Sequence, residues 1–205
     1  MIRSMDRTNA QATTDGLTGM LNRRAFETQA RALIAQGQPF AVAMADLDHF
    51  KDLNDTFGHA AGDRALRVFA KVVHTTVRPG DLPARFGGEE FIFLFPGATA
   101  AGGVGVLERV RAELAAAVGA DGSAPPFTCS FGVADSTLGT DLDELTAAAD
   151  EALYEAKANG RDRVVIAGGL ASRMRQLPEA REATAHRADV SGFLAVAARD
   201  DPRNP

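Results

Sequence analysis

Apolar residues recur at two spacings along the chain, and the alternation between them sets the expected order of elements. From Asn22 to Gln36, Phe26, Ala30, Leu33 and Ile34 fall at helical intervals, with Asn22 placed to cap the first turn and Gly37 to stop the last. Pro39 then opens an apolar run, Phe40 to Ala45, that ends abruptly in Asp46-Leu47-Asp48. Such a run predicts a central strand buried on both faces. A second helix is expected over Ala60 to Val77, with Leu66, Phe69, Ala70 and Val73 on one face and Pro79-Gly80 beyond its end. Leu82 to Phe86 and Phe91 to Phe95 predict two short strands around Gly87-Gly88-Glu89-Glu90, a hairpin with a glycine turn. Helices are expected over Thr99 to Val118 and Asp141 to Ala158, the latter with Leu142, Leu145, Ala149 and Leu153 inward. Strands are expected over Phe127 to Ala134 and Arg163 to Ile166. The order predicts an α+β fold with a βαββαβ kernel, in which helices flank a central antiparallel sheet. Residues 1–14 read as an N-terminal extension, 15–168 as one domain, and 169–205 as a tail rich in Ala and Arg. Arg181 to Ala198 is the stretch of that tail that could form a helix.

Composition narrows the picture. The chain has 205 residues, 45% hydrophobic and 24% charged, which is ordinary globular usage for one domain with extensions. Twenty-two Lys and Arg against 27 Asp and Glu give a net charge of −5. That balance argues against broad binding to nucleic acid or anionic membranes, so a phosphate-bearing partner must be met locally. Met1 to Asn9 lacks the apolar stretch of a signal peptide. The longest uncharged run, Phe91 to Leu107, contains Pro96, Gly97, Gly102, Gly103 and Gly105, and reads as strand, turn and helix start instead of a membrane span. The single cysteine, Cys129, forms no intramolecular disulfide and no cysteine cage, which suits a reducing compartment; the cytoplasm is the expected location. It lies in an apolar strand and is expected to be buried and inert.

Candidate chemistry gathers at the end of the central strand. Asp46 closes it and Glu89-Glu90 sit at the hairpin turn, so pairing of the two strands would bring three carboxylates to one end of a sheet. Such clustering is costly unless cations occupy it, and hard oxygen donors suit Mg²⁺, which keeps water and phosphate oxygens in its remaining positions. Gly87 and Gly88 would let backbone N–H groups approach a phosphate closely. Taken alone, the tetrapeptide reads first as an ordinary hairpin with solvated acids.

The wider context decides between these readings. Gly87-Gly88-Glu89-Glu90-Phe91, preceded by Arg85, stands with Asp46-Leu47-Asp48-His49-Phe50-Lys51, Asn54-Asp55, Gly58-His59 and Gly62-Asp63. Asp15-Gly16-Leu17-Thr18-Gly19 and Asn22-Arg23-Arg24 come before them. Ser130-Phe131-Gly132-Val133-Ala134, Asp150, Ala152-Leu153-Tyr154, Ala156-Lys157 and Gly160-Arg161 come after. In this order, over residues 14 to 167, the motifs resemble the GGDEF family of diguanylate cyclases.

The resemblance implies a palm-like fold, ferredoxin-like or nucleotide cyclase-like, similar to that of nucleotide-polymerising enzymes. It also implies one GTP and two Mg²⁺ per subunit, with Mn²⁺ as a substitute. Two facing subunits, a homodimer, would join two GTP into cyclic di-GMP. By the same resemblance Asp46 and Glu89 would ligate metal with help from the Leu47 carbonyl. Glu90 would hold the second metal or receive the hydroxyl proton, and the motifs leave that choice open. Asn54 and Asp63 would read guanine. Phe50, Lys51, Gly87, Gly88, Lys157 and Arg161 would line the substrate site, with the three basic residues on the triphosphate. Lys157 and Arg161 lie four apart near a helix end, where Asn159-Gly160 should turn the chain, so both can point the same way.

Arg78-Pro79-Gly80-Asp81 predicts a type II turn closed by an ion pair. In the resembling family an RxxD at this place is the inhibitory site for the cyclic di-GMP product, with Arg109 as a secondary contact. About 17 Å of strand would separate this turn from the hairpin, so inhibition would act at a distance. Two alternatives stay on the table. A non-catalytic GTP or cyclic di-GMP sensor would keep the fold, but Asp46, Lys51, Glu89 and Glu90 are all present. An RNA-binding domain would want basic charge and exposed aromatics, whereas Phe91, Phe93 and Phe95 alternate as core residues. Only about 14 residues precede the first motif, so dimerisation is expected to depend on substrate, product or the tail unless the chain is a fragment. Activity is therefore expected to be weak and concentration-dependent.

Overall fold

The computed structural model describes residues 13–121 and 124–168. The stretch Arg181 to Ala198, expected as the part of the tail that could form a helix, lies outside the described residues. Contacts divide the chain between Ala167 and Gly168, and the description that follows concerns the first unit.

The elements run β1 (Leu21–Asn22), α1 (Arg23–Ile34), β2 (Phe40–Leu47), α2 (Phe50–Phe57), α3 (His59–Thr76), β3 (Leu82–Arg85), β4 (Glu90–Pro96), α4 (Ala100–Asp121), β5 (Cys129–Asp135), α5 (Leu142–Ala158) and β6 (Val164–Ile166). The six strands form one sheet in the order β1-β3-β4-β2-β5-β6. Its four central strands pair antiparallel, whereas the two edges, β1 with β3 and β5 with β6, are parallel. The fold is the expected α+β arrangement around a βαββαβ kernel.

β2 is the middle of the molecule, and all eight of its residues are buried. Side chains alternate across a strand, so Ala41, Ala43, Ala45 and Leu47 face one layer, with Phe91, Phe93, Phe95, Phe131 and Phe69. Phe40, Val42 and Met44 face the other, with Phe26 and Ala30 of α1 and Leu145, Ala149 and Leu153 of α5. Cys129 is fully buried, as expected, and burial pushes its thiol well above the ordinary range. Two caps anchor the second layer. The Asn22 side chain accepts the Ala25 N–H at 2.9 Å, and Asp141 accepts those of Asp143 and Glu144.

Two elements depart from expectation. β1 is only two residues long, too short for periodicity to reveal. Between β2 and the helix expected from Ala60 stands a further helix, α2, joined to α3 through Gly58 at φ 80°. That left-handed conformation suits glycine and separates two helices that would otherwise run together. The remaining ends differ from expectation by a few residues at most: β2 continues through Leu47, β4 takes in Glu90, and α4 reaches Asp121.

Candidate functional site

β2 and β4 carry their acids to the same end of the sheet. Continuing the alternation past Met44 puts Asp46 on the layer of α1 and α5, and the ladder sets Asp46 directly opposite Glu90. Asp46 is only 8% exposed. Its Oδ2 lies 2.9 Å from the Lys157 ammonium, which reaches it from the last turn of α5. Burial pushes the Asp46 carboxyl above its ordinary range. The hydrogen bond and charge of Lys157 oppose this, Asp48 adds to it, Arg161 opposes it, and the balance stays upward. Glu89 is half-buried and likewise raised, by burial first and then by the charge of Asp46. Burial and neighbouring negative charge thus resist ionisation of both acids, and Lys157 offsets part of that resistance at each.

The hairpin that presents Glu89 is held from outside. The N–H groups of Phe86 and Gly87 both donate to the Glu90 carbonyl, at 2.8 and 3.1 Å. Arg85 donates to the Gly87 and Gly88 carbonyls, the shortest bond being 2.6 Å, and through Nη1 to both carboxylate oxygens of Asp15 at 3.2 Å. Asp15 in turn accepts the N–H and hydroxyl of Thr18. Burial raises the Asp15 carboxyl, but Thr18 and Arg85 prevail and hold it below its ordinary range. The glycine turn differs from expectation in one respect: neither Gly87 nor Gly88 has positive φ. A Cβ on Gly87 would meet the Glu90 carboxylate, the far end of an exposed, flexible side chain that can move aside.

A second group sits at the α2–α3 corner. The Asn54 Oδ1 is buried without a hydrogen-bond partner, and it lies where a Cβ on Gly62 would be. Phe50 packs its ring against the same glycine and is buried, so what it can offer a ligand is its backbone at the start of α2. Asp63, next in the chain, is exposed. Lys51 stands apart from the acids of the sheet end, its ammonium 2.6 Å from Asp55 on the exposed side of α2.

Lys157 and Arg161 converge, but not by helical spacing. α5 ends at Ala158, Gly160 has φ 110°, and Arg161 and Asp162 follow at 62° and 44°. The chain therefore turns back on itself, and the Arg161 N–H donates to the Ala156 carbonyl at 3.0 Å. Both cations act on Asp46.

The Arg78–Asp81 turn forms as expected. The Asp81 N–H donates to the Arg78 carbonyl at 3.1 Å, Gly80 has φ 99°, and Arg78 Nε lies 3.1 Å from Asp81 Oδ1. Asp81 is buried, and Arg78 also donates to the Pro96 carbonyl at 2.7 Å. A cavity of about 540 Å³ borders this turn, with Thr14, Gln29 and His74 also in its wall. Arg109 is exposed on α4, and among the described residues no hydrogen bond or ion pair joins it to Arg78 or Asp81.

Three side chains have roles that the motifs alone did not reveal: Asp15, Arg85 and Asp48. Asp48 accepts hydrogen bonds from Thr128, Ser130 and Asp162, partners 80 to 114 positions away, so no local pattern signals them. Among the described residues no three His, Cys, Asp or Glu side chains form a ready-made metal cage. Asp46 and Glu89 are the two that fit a hard divalent ion, because Mg²⁺ needs only one or two carboxylates and fills its shell with water and phosphate oxygens.

A family model described as the diguanylate cyclase GGDEF domain matches residues 12–163. Diguanylate cyclase DgcP of Pseudomonas aeruginosa is 40% identical over 162 residues, covering 77% of this chain and 24% of its own length. Response regulator PleD of Caulobacter vibrioides is 38% identical over 178 residues, covering 79% and 37%. This chain thus spans well under two thirds of these relatives. Among solved structures, the GGDEF domain of DgcB from Caulobacter crescentus in complex with c-di-GMP aligns with a TM-score of 0.68 at 36% identity, over 76% of this chain and 96% of that one. The diguanylate cyclase SiaD of Pseudomonas aeruginosa, in complex with its activator SiaC, aligns at 0.70 and 36%, over 79% and 65%. The chain belongs to the GGDEF family of diguanylate cyclase domains.

Proposed function

We propose that this GGDEF domain is catalytic and condenses two GTP into cyclic di-GMP with release of two pyrophosphates. The observation that carries the reading is the sheet end: Asp46 opposite Glu90, with Glu89 beside them and Lys157 on Asp46. In each half-reaction a ribose 3′-oxygen bonds to the α-phosphorus of the other nucleotide, and the bond from that phosphorus to pyrophosphate breaks. Asp46, Glu89 and the Leu47 carbonyl would hold divalent metal, two ions per site, Mg²⁺ or Mn²⁺ in its place. Bound metal would lower the pKa of the 3′-hydroxyl and neutralise charge at the phosphates. Glu90, exposed beside the pair, either completes the second metal site or takes the hydroxyl proton.

The other residues bind. The free Asn54 Oδ1 and the exposed Asp63 carboxylate are acceptors suited to the N1–H and N2–H₂ edge of guanine. Adenine would leave Asp63 unpaired, so GTP is selected over ATP. Lys157 and Arg161 serve the triphosphate, with Lys51, Gly87 and the N–H groups of Phe50 and Gly88 nearby in the chain's motifs. One site holds one GTP, so the reaction needs a homodimer with two sites face to face. Arg78 and Asp81, in the wall of the cavity of about 540 Å³, form the candidate inhibitory site for product, and Arg109, exposed on α4, is its candidate secondary contact. No helix among the described residues is long and apolar enough to cross a membrane, and the proposed setting is the cytoplasm, where GTP is available.

Incubation with GTP and Mg²⁺ tests the reading. The parent should form cyclic di-GMP, and Glu89→Ala should lose at least about a hundredfold in rate, the scale for removing a group that stabilises transition-state charge. An unchanged rate in Glu89→Ala would contradict it.

A further inference from the structure

Asp46 and Asp48 look alike in sequence, two carboxylates at one strand end, yet the structure gives them opposite surroundings. Asp46 meets a cation. Asp48, 4% exposed, is ringed by donors: the Thr128 hydroxyl at 2.7 Å and the Asp162 N–H at 3.1 Å on Oδ2, and the Ser130 hydroxyl at 2.7 Å on Oδ1. Its own N–H donates to the Thr128 carbonyl at 2.9 Å. A buried carboxylate so committed is a structural anchor and not a free ligand.

What it anchors is the loop after α5. Arg161 and Asp162 are consecutive non-glycine residues with left-handed φ, an arrangement that is strained for L side chains and persists only where the surroundings impose it. Asp162 is gripped from two sides, its N–H by Asp48 and its carboxylate by Arg111 Nε at 3.0 Å. Arg163 follows in the sheet edge, its carbonyl accepting the Phe131 N–H at 2.9 Å. Arg161 therefore sits between a helix end and a clamp.

We propose that Asp48 is a positioning residue that clamps the Arg161–Asp162 loop to the ends of β2 and β5, so that Arg161 is held toward the triphosphate site beside Asp46. The inference rests on the reading that Arg161 serves the triphosphate. It predicts that what matters at position 48 is hydrogen-bond acceptance, not charge. An amide can accept from the Thr128 and Asp162 donors with its oxygen and donate to the Ser130 hydroxyl, which can rotate.

The test compares the parent with Asp48→Asn, Asp48→Ala and Thr128→Val, the last keeping the fold testable if Asp48→Ala does not fold. Two probes are titrated with Mg²⁺ present, a non-hydrolysable GTP analogue and guanosine, and tryptic cleavage after Arg161 and Arg163 is timed. The loss expected in Asp48→Ala is about ten- to hundredfold in affinity for the analogue, with guanosine unchanged and cleavage accelerated. Thr128→Val should move the same way by less, and Asp48→Asn should stay near the parent. Parent-like cleavage and affinity in Asp48→Ala and Thr128→Val would overturn the proposal. So would equal weakening of guanosine and the analogue, which marks general loosening, or a loss in Asp48→Asn as large as in Asp48→Ala, which marks a charge effect. If the parent itself discriminates no triphosphate from guanosine while the variants still gain tryptic cleavage, the clamp stands and the triphosphate reading of Arg161 is what fails.

Discussion

The Lys157–Asp46 pair shows how one contact joins fold and chemistry. Its carboxylate is nearly buried, while the lysine is about a third exposed, so solvent weakens the pair without cancelling it. Lys157→Ala leaves Asp46 and Glu89 facing each other with less compensation. We expect it to destabilise the protein by about 1–2 kcal/mol in a metal chelator. Mg²⁺ should recover part of that loss, because a cation again stands against the acids; thermal unfolding with and without Mg²⁺ checks both. At this scale the sequence was most informative about residues that act where they stand. The convergence of Asp46, Glu89 and Glu90 at one end of the sheet was legible from the strand pattern. Asp48 was not, since its role depends on Thr128, Ser130 and Asp162 arriving from far along the chain. Lys157 and Arg161 were expected to point the same way through a turn at Asn159-Gly160; the turn forms there, and Arg161 and Asp162 extend it with left-handed φ.

Elements place these residues, and α5 depends on a single missing side chain. A Cβ on Gly132 of β5 would run into the Ala149 carbonyl oxygen and the Leu153 nitrogen, backbone atoms of α5 that cannot rotate aside. Gly132→Ala should therefore force α5 off the sheet and cost about 3 kcal/mol or more, read from the denaturation midpoint. Because α5 carries Lys157, GTP turnover should fall with it. The Asp15–Arg85 tie links the approach to α1 with the hairpin. Its carboxyl is held below the ordinary range, so ionised Asp15 stabilises the fold at pH above the unfolded carboxylate value of about 3.9. That contribution fades as pH falls through the lower folded value. Asp15→Asn should lower stability by about 2 kcal/mol at pH 7, and the gap to the parent should close at strongly acid pH. Urea midpoints against pH measure it; a gap that widened on acidification would contradict the assignment. The long helices and the apolar strands of this scaffold were legible from periodicity, and the Asn22 cap from its side-chain chemistry. β1 and α2 were not: two residues carry no period, and the eight residues between a left-handed His49 and Gly58 were assigned to no element.

For the whole molecule, the proposed condensation would make one copy half of a catalyst. Each copy presents one acid cluster and one Asn54–Asp63 corner, and a cyclic dinucleotide with two new phosphodiester bonds needs two nucleotides opposed. With a net charge of −5, nothing in bulk electrostatics draws two copies together. Encounter should limit the reaction at low protein concentration, and specific activity should rise on concentration until the dimer saturates. The most direct measurement follows pyrophosphate and cyclic dinucleotide together, from GTP and Mg²⁺, over a hundredfold range of protein concentration. The account predicts two pyrophosphates per cyclic di-GMP at every point and a specific activity that climbs with concentration. Pyrophosphate or phosphate released without cyclic dinucleotide, or bound GTP with no turnover at the highest concentration, would contradict it.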